Sequence, residues 1–179
     1  LVNCENTGNQ LNTMPKEDGS RLGNITCNIT AGCKVTGCVN RGNLISTTKG
    51  RCGGITSLSN TAVFENCANY GEILTDGQYR GLFWAYNTAN ATWKNCTASG
   101  KVGKYNGGAP VYDEYTESAK ANYLGVQKAG TTSTLTDITY LIGVKEEEPA
   151  PVVDADLSIL FIGNSFTKDA VEHLPGILK

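Results

Sequence analysis

The chain carries one candidate nucleophile. Ser165 stands in Phe161-Ile162-Gly163-Asn164-Ser165-Phe166, after an apolar run and before a helix-prone stretch. A serine at a helix N-terminus is exposed, and nearby backbone N–H groups face any oxyanion that develops beside it. The same serine is a good N-cap for residues 166–174, so residue types alone leave both readings open. The sole histidine, His173, follows eight residues later, about 12 Å along a helix. It is too far to take the hydroxyl proton, and a nucleophile without a base has little reactivity.

The cysteines are the second reactive set. There are seven, an odd number, so they cannot all pair within the chain. Cys4, Cys38, Cys67 and Cys96 hold one position of a repeated phrase and should stack on successive turns. Neighbouring strands lie about 4.8 Å apart, a spacing that a disulfide tolerates, but stacked Cβ vectors run parallel and oppose the torsion it needs. Buried free thiols packed as small hydrophobes are expected. Cys27, Cys33 and Cys52 lie outside that row, and a Cys27–Cys33 bridge is an open alternative. No Cys-x-x-Cys pair and no calcium-loop spacing occurs, so no metal and no cofactor is implied. Asn24, Asn28, Asn90 and Asn95 match the glycosylation acceptor pattern, as composition alone would produce in an Asn/Thr-rich repeat. Tyr70, Tyr79, Trp84 and Tyr86 sit near turns, where rings either stack on sugars or pack the corners.

These residues belong to a repeat. Gly37-Cys38-Val39-Asn40-Arg41-Gly42, Asn66-Cys67-Ala68-Asn69-Tyr70-Gly71 and Asn95-Cys96-Thr97-Ala98-Ser99-Gly100 place their cysteines 29 residues apart, twice. A further copy, Asn3-Cys4-Glu5-Asn6-Thr7-Gly8, stands at the N-terminus and is expected to belong to a stack with earlier turns. Equal spacing of this length marks a repeat architecture. After Cys38 and Cys67, Asn, Gly and an aliphatic follow at intervals of two (Asn40, Gly42, Leu44; Asn69, Gly71, Ile73), and after Cys96 come Ala98, Gly100 and Val102, which is strand periodicity. The asparagines predict an amide ladder. The glycines predict a corner with positive φ or close backbone approach. Val35, Phe64 and Trp93, three residues before each Cys, are candidate core. Each unit should hold two or three short strands, begun by Leu22-Gly23, Cys52-Gly53 and Arg80-Gly81 after polar turns such as 16–19.

The expected class is all-β: a parallel β-solenoid of repeats over residues 1–105, with a β-sandwich as the residual alternative. Residues 106–144 are expected to cap it, with a short helix over 113–125 and a strand over 131–144. An open stack end exposes unpaired backbone that needs cover. Residues 145–156, with Glu146-Glu147-Glu148-Pro149-Ala150-Pro151, read as an acidic, extended linker. Residues 157–179 form the last segment. The net charge of −2, without a Lys/Arg cluster, excludes the electrostatic footprint of nucleic-acid binding. No apolar run reaches the roughly 18–20 residues of a membrane helix.

The stretch Ile162-Gly163-Asn164-Ser165-Phe166, continued by Asp169-Ala170 and Leu174-Pro175, resembles the first block of SGNH (GDSL-type) hydrolases. It is similar to the Gly-Asn-Ser-Phe variant on secreted gut-bacterial proteins. The resemblance covers about 25 residues. It implies an α/β domain of which 157–179 is the N-terminal strand–helix fragment, with Ser165 as nucleophile. Gly163 and the Ser165 backbone would form the turn and an oxyanion donor. The family also needs a later Gly and Asn and a late Asp-x-x-His, none of which this sequence contains, so the chain itself is expected to be inactive on esters. The repeats resemble Asn-Cys-x-Asn-x-Gly solenoids of bacterial surface and adhesin-like proteins. Together these resemblances imply an exported or cell-surface modular protein. In it the repeats are a spacer or a carbohydrate- or surface-binding module joined to a carbohydrate esterase. The alternative is a non-catalytic adhesin-like protein.

Overall fold

The computed structural model describes residues 1–13 and 20–142, which are mostly short strands in parallel sheets. Gly163, Ser165, His173, the 145–156 linker and the 16–19 turn lie outside the described residues.

Five sheets run through the described residues, each taking one strand from each successive repeat. The asparagine sheet orders Glu5–Asn6, Val39–Asn40, Ala68–Asn69, Thr97–Ala98 and Thr139–Tyr140. Beside it run Lys34–Thr36, Val63–Glu65, Thr92–Lys94 and Thr134–Thr136, in a register that places Val35, Phe64, Trp93 and Leu135 in one row. A third sheet stacks Gln10–Asn12, Leu44–Ser46, Ile73–Thr75 and Val102–Lys104, then adds Val111–Tyr112 antiparallel. The fourth holds Arg21–Gly23, Arg51–Gly53 and Arg80–Gly81. The fifth holds Thr26–Ile29, Thr56–Ser59, Trp84–Asn87 and Val126–Gln127. Each middle repeat thus carries five strands of two to four residues, more than the two or three expected.

The corner before each Cys explains why the strands are so short. Asn3, Asn66, Asn95 and Asp137 have φ of 51°, 55°, 51° and 52°, and Gly37 has 64°. Asn, Asp and Gly are the residues that visit this left-handed region at least cost. The phrase therefore begins with a left-handed turn that swings the chain from the Val35 row into the asparagine sheet.

Alternation then sends one row inward. Val35, Phe64 and Trp93 are fully buried, as are Leu44 and Ile73. Phe64 and Trp93 stack with centroids 3.8 Å apart and ring planes 1° apart, and Phe83 covers Trp93 at 4.7 Å. Cys38, Cys67 and Cys96 are buried free thiols, as expected, whereas Cys4 at the first repeat is exposed. Cys27 and Cys33 are exposed and unbridged. Burial pushes the Cys52 thiol up to about 12. The hydrogen bond to Cys96, with burial, drives Cys67 up as well.

Polar ladders run beside the apolar rows. Asn6 Nδ2 donates to Asn40 Oδ1 at 2.8 Å, and Asn40 Nδ2 to Asn69 Oδ1 at 2.7 Å. Each amide also donates to the Gly carbonyl two residues on: Gly8, Gly42 and Gly71. At Ala98 the ladder stops, and Asn69 donates to the Ser99 carbonyl instead. A Cβ on Gly71 would collide with the Gly42 carbonyl, so this glycine serves close approach between repeats. A second ladder joins Ser59, Asn87 and Ser133.

Within the segment 106–144, where a cap is expected, strands continue the sheets. Val126–Gln127, Thr134–Thr136 and Thr139–Tyr140 pair in parallel with the strands of the preceding repeat. The excursion between residues 104 and 126 is an insertion within that last repeat. The short helix expected over 113–125 is a 3-10 helix, Glu117–Tyr123. The single strand expected over 131–144 is two strands broken at the left-handed Asp137. The carbonyls of Tyr123 and Leu124, at the C-terminal end of the 3-10 helix, accept from the Leu82 and Phe83 amides, filling the place of a fourth-sheet strand.

Candidate binding groove

Two outward features meet where the insertion lies on the repeats. The first grows from the fourth and fifth sheets. Tyr79 and Tyr86 lie one above the other, centroids 4.6 Å apart and rings tilted by 54°. Arg51 reaches over both, its Cζ 5.1 Å from one ring centre and 5.4 Å from the other. Stacking and the cation hold the two half-buried rings in place. Next to Tyr79, the side chains of Lys49, Asp76 and Gln78 complete a cleft of about 310 Å³.

The second is a cleft of about 300 Å³ under the insertion, lined by Gln78, Arg80, Asp113, Glu114, Asn122 and Tyr123 among others. Gln78 lines both clefts. Arg80 anchors the insertion. Its Nε and Nη2 donate to both oxygens of Asp113 at 3.0 and 2.7 Å, while Nη1 holds the Gly77 carbonyl at 2.9 Å. Burial, helped by the Asp113 and Glu114 charges, raises the Tyr123 phenol, which stays neutral and able to donate at physiological pH.

A third, mostly apolar cleft of about 270 Å³ opens on the far side of Tyr123, between Tyr112, Tyr115 and Ile142. Tyr112 is clamped by Glu72, which accepts its hydroxyl at 3.1 Å, and by Lys101 over its ring at 4.7 Å. The hydrogen bond to Glu117 lifts the Tyr115 phenol to about 12.

The aromatic candidates separate in this setting. Trp84 is fully buried, its indole N–H donating to the Val126 carbonyl at 3.1 Å, so it is core and not a sugar platform. Tyr70 is exposed under Arg41, apart from the groove. Of the four, Tyr79 lines a cleft, with Tyr86 packed against it. Among the acceptor-pattern asparagines, Asn24 is buried and donates to the Gly42 carbonyl, which closes it to modification. The sequence reading missed Arg51, Gln78 and the insertion's Asp113, Glu114 and Tyr123. The signal available was the cluster of tyrosines in a stretch that broke the repeat.

Chemically the groove can stack and hydrogen-bond. Among the described residues no group of three or more His, Cys, Asp or Glu is placed to hold a metal ion, and no helix is long and apolar enough to cross a membrane. Compared with protein-family models, curated proteins and solved structures, the chain matches none of them.

Proposed function

We propose that the chain is part of an exported, modular bacterial surface protein whose repeats form a β-solenoid that binds carbohydrate along the Tyr79–Tyr123 groove. The observation that carries this is Gln78, which lines both the cleft beside the Tyr79–Tyr86 pair and the cleft under the insertion. A sugar presents an apolar ring face, which stacks on tyrosine, and an equatorial rim of hydroxyls, which amides and carboxylates bind. Lys49, Arg51 and Arg80 are balanced by Asp76, Asp113 and Glu114, which favours neutral sugars over anionic ones.

In this proposal residues 157–179 begin an SGNH-type esterase domain, with Ser165 its nucleophile and Gly163 in its turn. Support for that half is the motif resemblance alone. The groove would hold the polymer whose esters the parent protein cleaves.

The test is a glycan array probed with the full chain, followed by titration of hits against Tyr79→Ala and Gln78→Ala. Binding of neutral oligosaccharides that falls roughly tenfold in each variant is expected, since stacking and hydrogen-bond losses are about 1–2 kcal/mol each. An array with no signal above background sinks the binding reading. For the esterase half, reading the gene beyond the Lys179 codon must reveal a late Asp-x-x-His. An immediate stop codon removes it and leaves the non-catalytic adhesin-like protein.

A further inference from the structure

Tyrosines crowd the mostly apolar cleft beyond the sugar groove. Tyr112, Tyr115 and Tyr123 line its space of about 270 Å³, together with the nearly buried Val102 and Ile142. Tyr115 and Tyr123 meet as a corner, centroids 5.3 Å apart and planes tilted by 59°. Tyr112 stays 38% exposed. Sites for drug-sized ligands span about 300–1,000 Å³, so this one suits a smaller molecule.

Two of the three phenols already donate to carboxylates. Tyr112 Oη donates to Glu72 at 3.1 Å, and Tyr115 Oη to Glu117 at 2.8 Å. A phenol that donates to an anion leaves its ring richer in electrons, and a ring face is where a cation binds. Burial, with nearby carboxylates, also holds the Tyr112 and Tyr123 phenols above their usual range, so both stay neutral.

Lys101 displays the preference. Ile73 pairs with Val102, which places Lys101 beside Glu72 across the sheet. Yet among the described residues neither makes an ion pair. The Lys101 ammonium lies over the Tyr112 ring at 4.7 Å instead, while Glu72 takes the hydroxyl of that ring. The other carboxylates beside these tyrosines are paired, Asp113 with Arg80 and Glu117 with Lys120. Glu72 is thus balanced by a cation seated on a tyrosine face. A primary ammonium is a poor permanent occupant there. Its three donors are strongly hydrated, and a ring face replaces that water incompletely. A quaternary ammonium has no N–H to satisfy and presents apolar methyl groups.

We propose that this cleft binds a small quaternary ammonium of the choline type, its trimethylammonium head replacing the Lys101 ammonium among Tyr112, Tyr115 and Tyr123. The lysine is then an internal competitor that swings out to water. An anionic aromatic ligand would take Lys101 as its partner, but it would lie on ring faces that Glu72 and Glu117 make electron-rich. The site uses neither Gln78 nor Tyr79, so it stands apart from sugar binding.

The test titrates the full chain with choline chloride at constant ionic strength, read by the tyrosine ring signals in NMR spectra. Saturation with a Kd of about 1 mM or below is expected. Ethanolamine, the primary-ammonium counterpart, should bind roughly tenfold more weakly. Tyr115→Leu should weaken choline binding roughly five- to tenfold. Lys101→Met, at an exposed position that does not threaten the fold, should strengthen it by roughly threefold. Tyr70→Ala, remote from the cleft, should leave it unchanged. Absence of saturation, equal binding of ethanolamine, or weaker choline binding in Lys101→Met each overturns the proposal. Benzoate that binds and loses its binding in Lys101→Met would assign an anion site instead. Sedimentation with phosphatidylcholine vesicles that free choline does not compete away would assign a lipid surface, and also overturns it.

Discussion

Residues 34–104 and residues 105–142 give strands to the same sheets but secure them differently. In the first region a narrow set of residues recurs at each structural position: Asn or Gly at the left-handed corner, Cys inside, then Asn (Ala98 in the last copy) and Gly where neighbouring repeats touch. In the second, Asp137 takes the corner, Ile138 replaces Cys, and Tyr140 replaces the ladder residue. What persists is a backbone able to adopt positive φ and an inward side chain of the right bulk. The difference teaches that the amide ladder is one way to hold a repeat and that the corner is the invariant one. Once released from the ladder, the last repeat uses tyrosines, an Arg80–Asp113 clamp and an insertion to build an outward groove.

The largest break in that comparison should come from the shared core. Trp93→Ala removes the ring between Phe64 and Phe83 and should cost about 3–5 kcal/mol in urea unfolding. Both regions should melt together, because Leu135 rests on the same row. A variant that unfolds only residues 105–142 would refute the common core.

Asn69→Ala strips two donors and one acceptor from a buried ladder and should cost about 2 kcal/mol. Ala98→Asn, where the ladder already ends, should change stability far less. Equal costs would mean that the ladder contributes nothing beyond packing.

High pH should weaken the middle repeats. The Cys52 thiol is held up to about 12 by burial, above its unfolded value near 8.5. Its contribution is complete below that unfolded value. As pH rises the unfolded chain ionises first, so stability falls through the window up to the folded value, with a slope approaching about 1.4 kcal/mol per pH unit. Cys52→Ala should flatten the part of the slope due to this thiol in unfolding curves at pH 8 to roughly 10.5. An unchanged slope would exclude it.

Asp113→Asn should act only on the second region. Weakening a bidentate pair whose Arg80 is 13% exposed should cost about 1 kcal/mol. Limited proteolysis should then cut within residues 105–125 while the repeats stay protected. The smallest effect is expected for Lys34→Ala, whose partner Glu65 sits in water, with a Tm change inside experimental scatter.

The phrase spacing made the stacking legible, because a residue that must contact its own copy must recur at the repeat length. Val35, Phe64 and Trp93 as core, and Asn40 on Asn69, follow from it. The corner before each Cys went unread although Asn, Gly and Asp at one position signal it. Strands of two to four residues are too short to alternate visibly, so two or three per repeat are expected where five form. The last repeat was illegible for another reason. From Cys96 to Ile138 is 138 − 96 = 42 residues, 13 more than the 29-residue repeat, and no phrase residue survives there. In the groove, Tyr79 and Tyr86 were visible as candidates, but Arg51, Gln78 and Asp113 lie up to 62 residues apart and converge only through stacking.

The sequence by itself determined the repeat length, the inward rows and the amide ladder, since each is a contact between equivalent positions and leaves a periodic trace. Tertiary structure alone decided that residues 126–140 rejoin the sheets and that Trp84 is core while Tyr79 is surface. Those outcomes depend on which neighbour covers a position, and an insertion changes the neighbour without changing the residue.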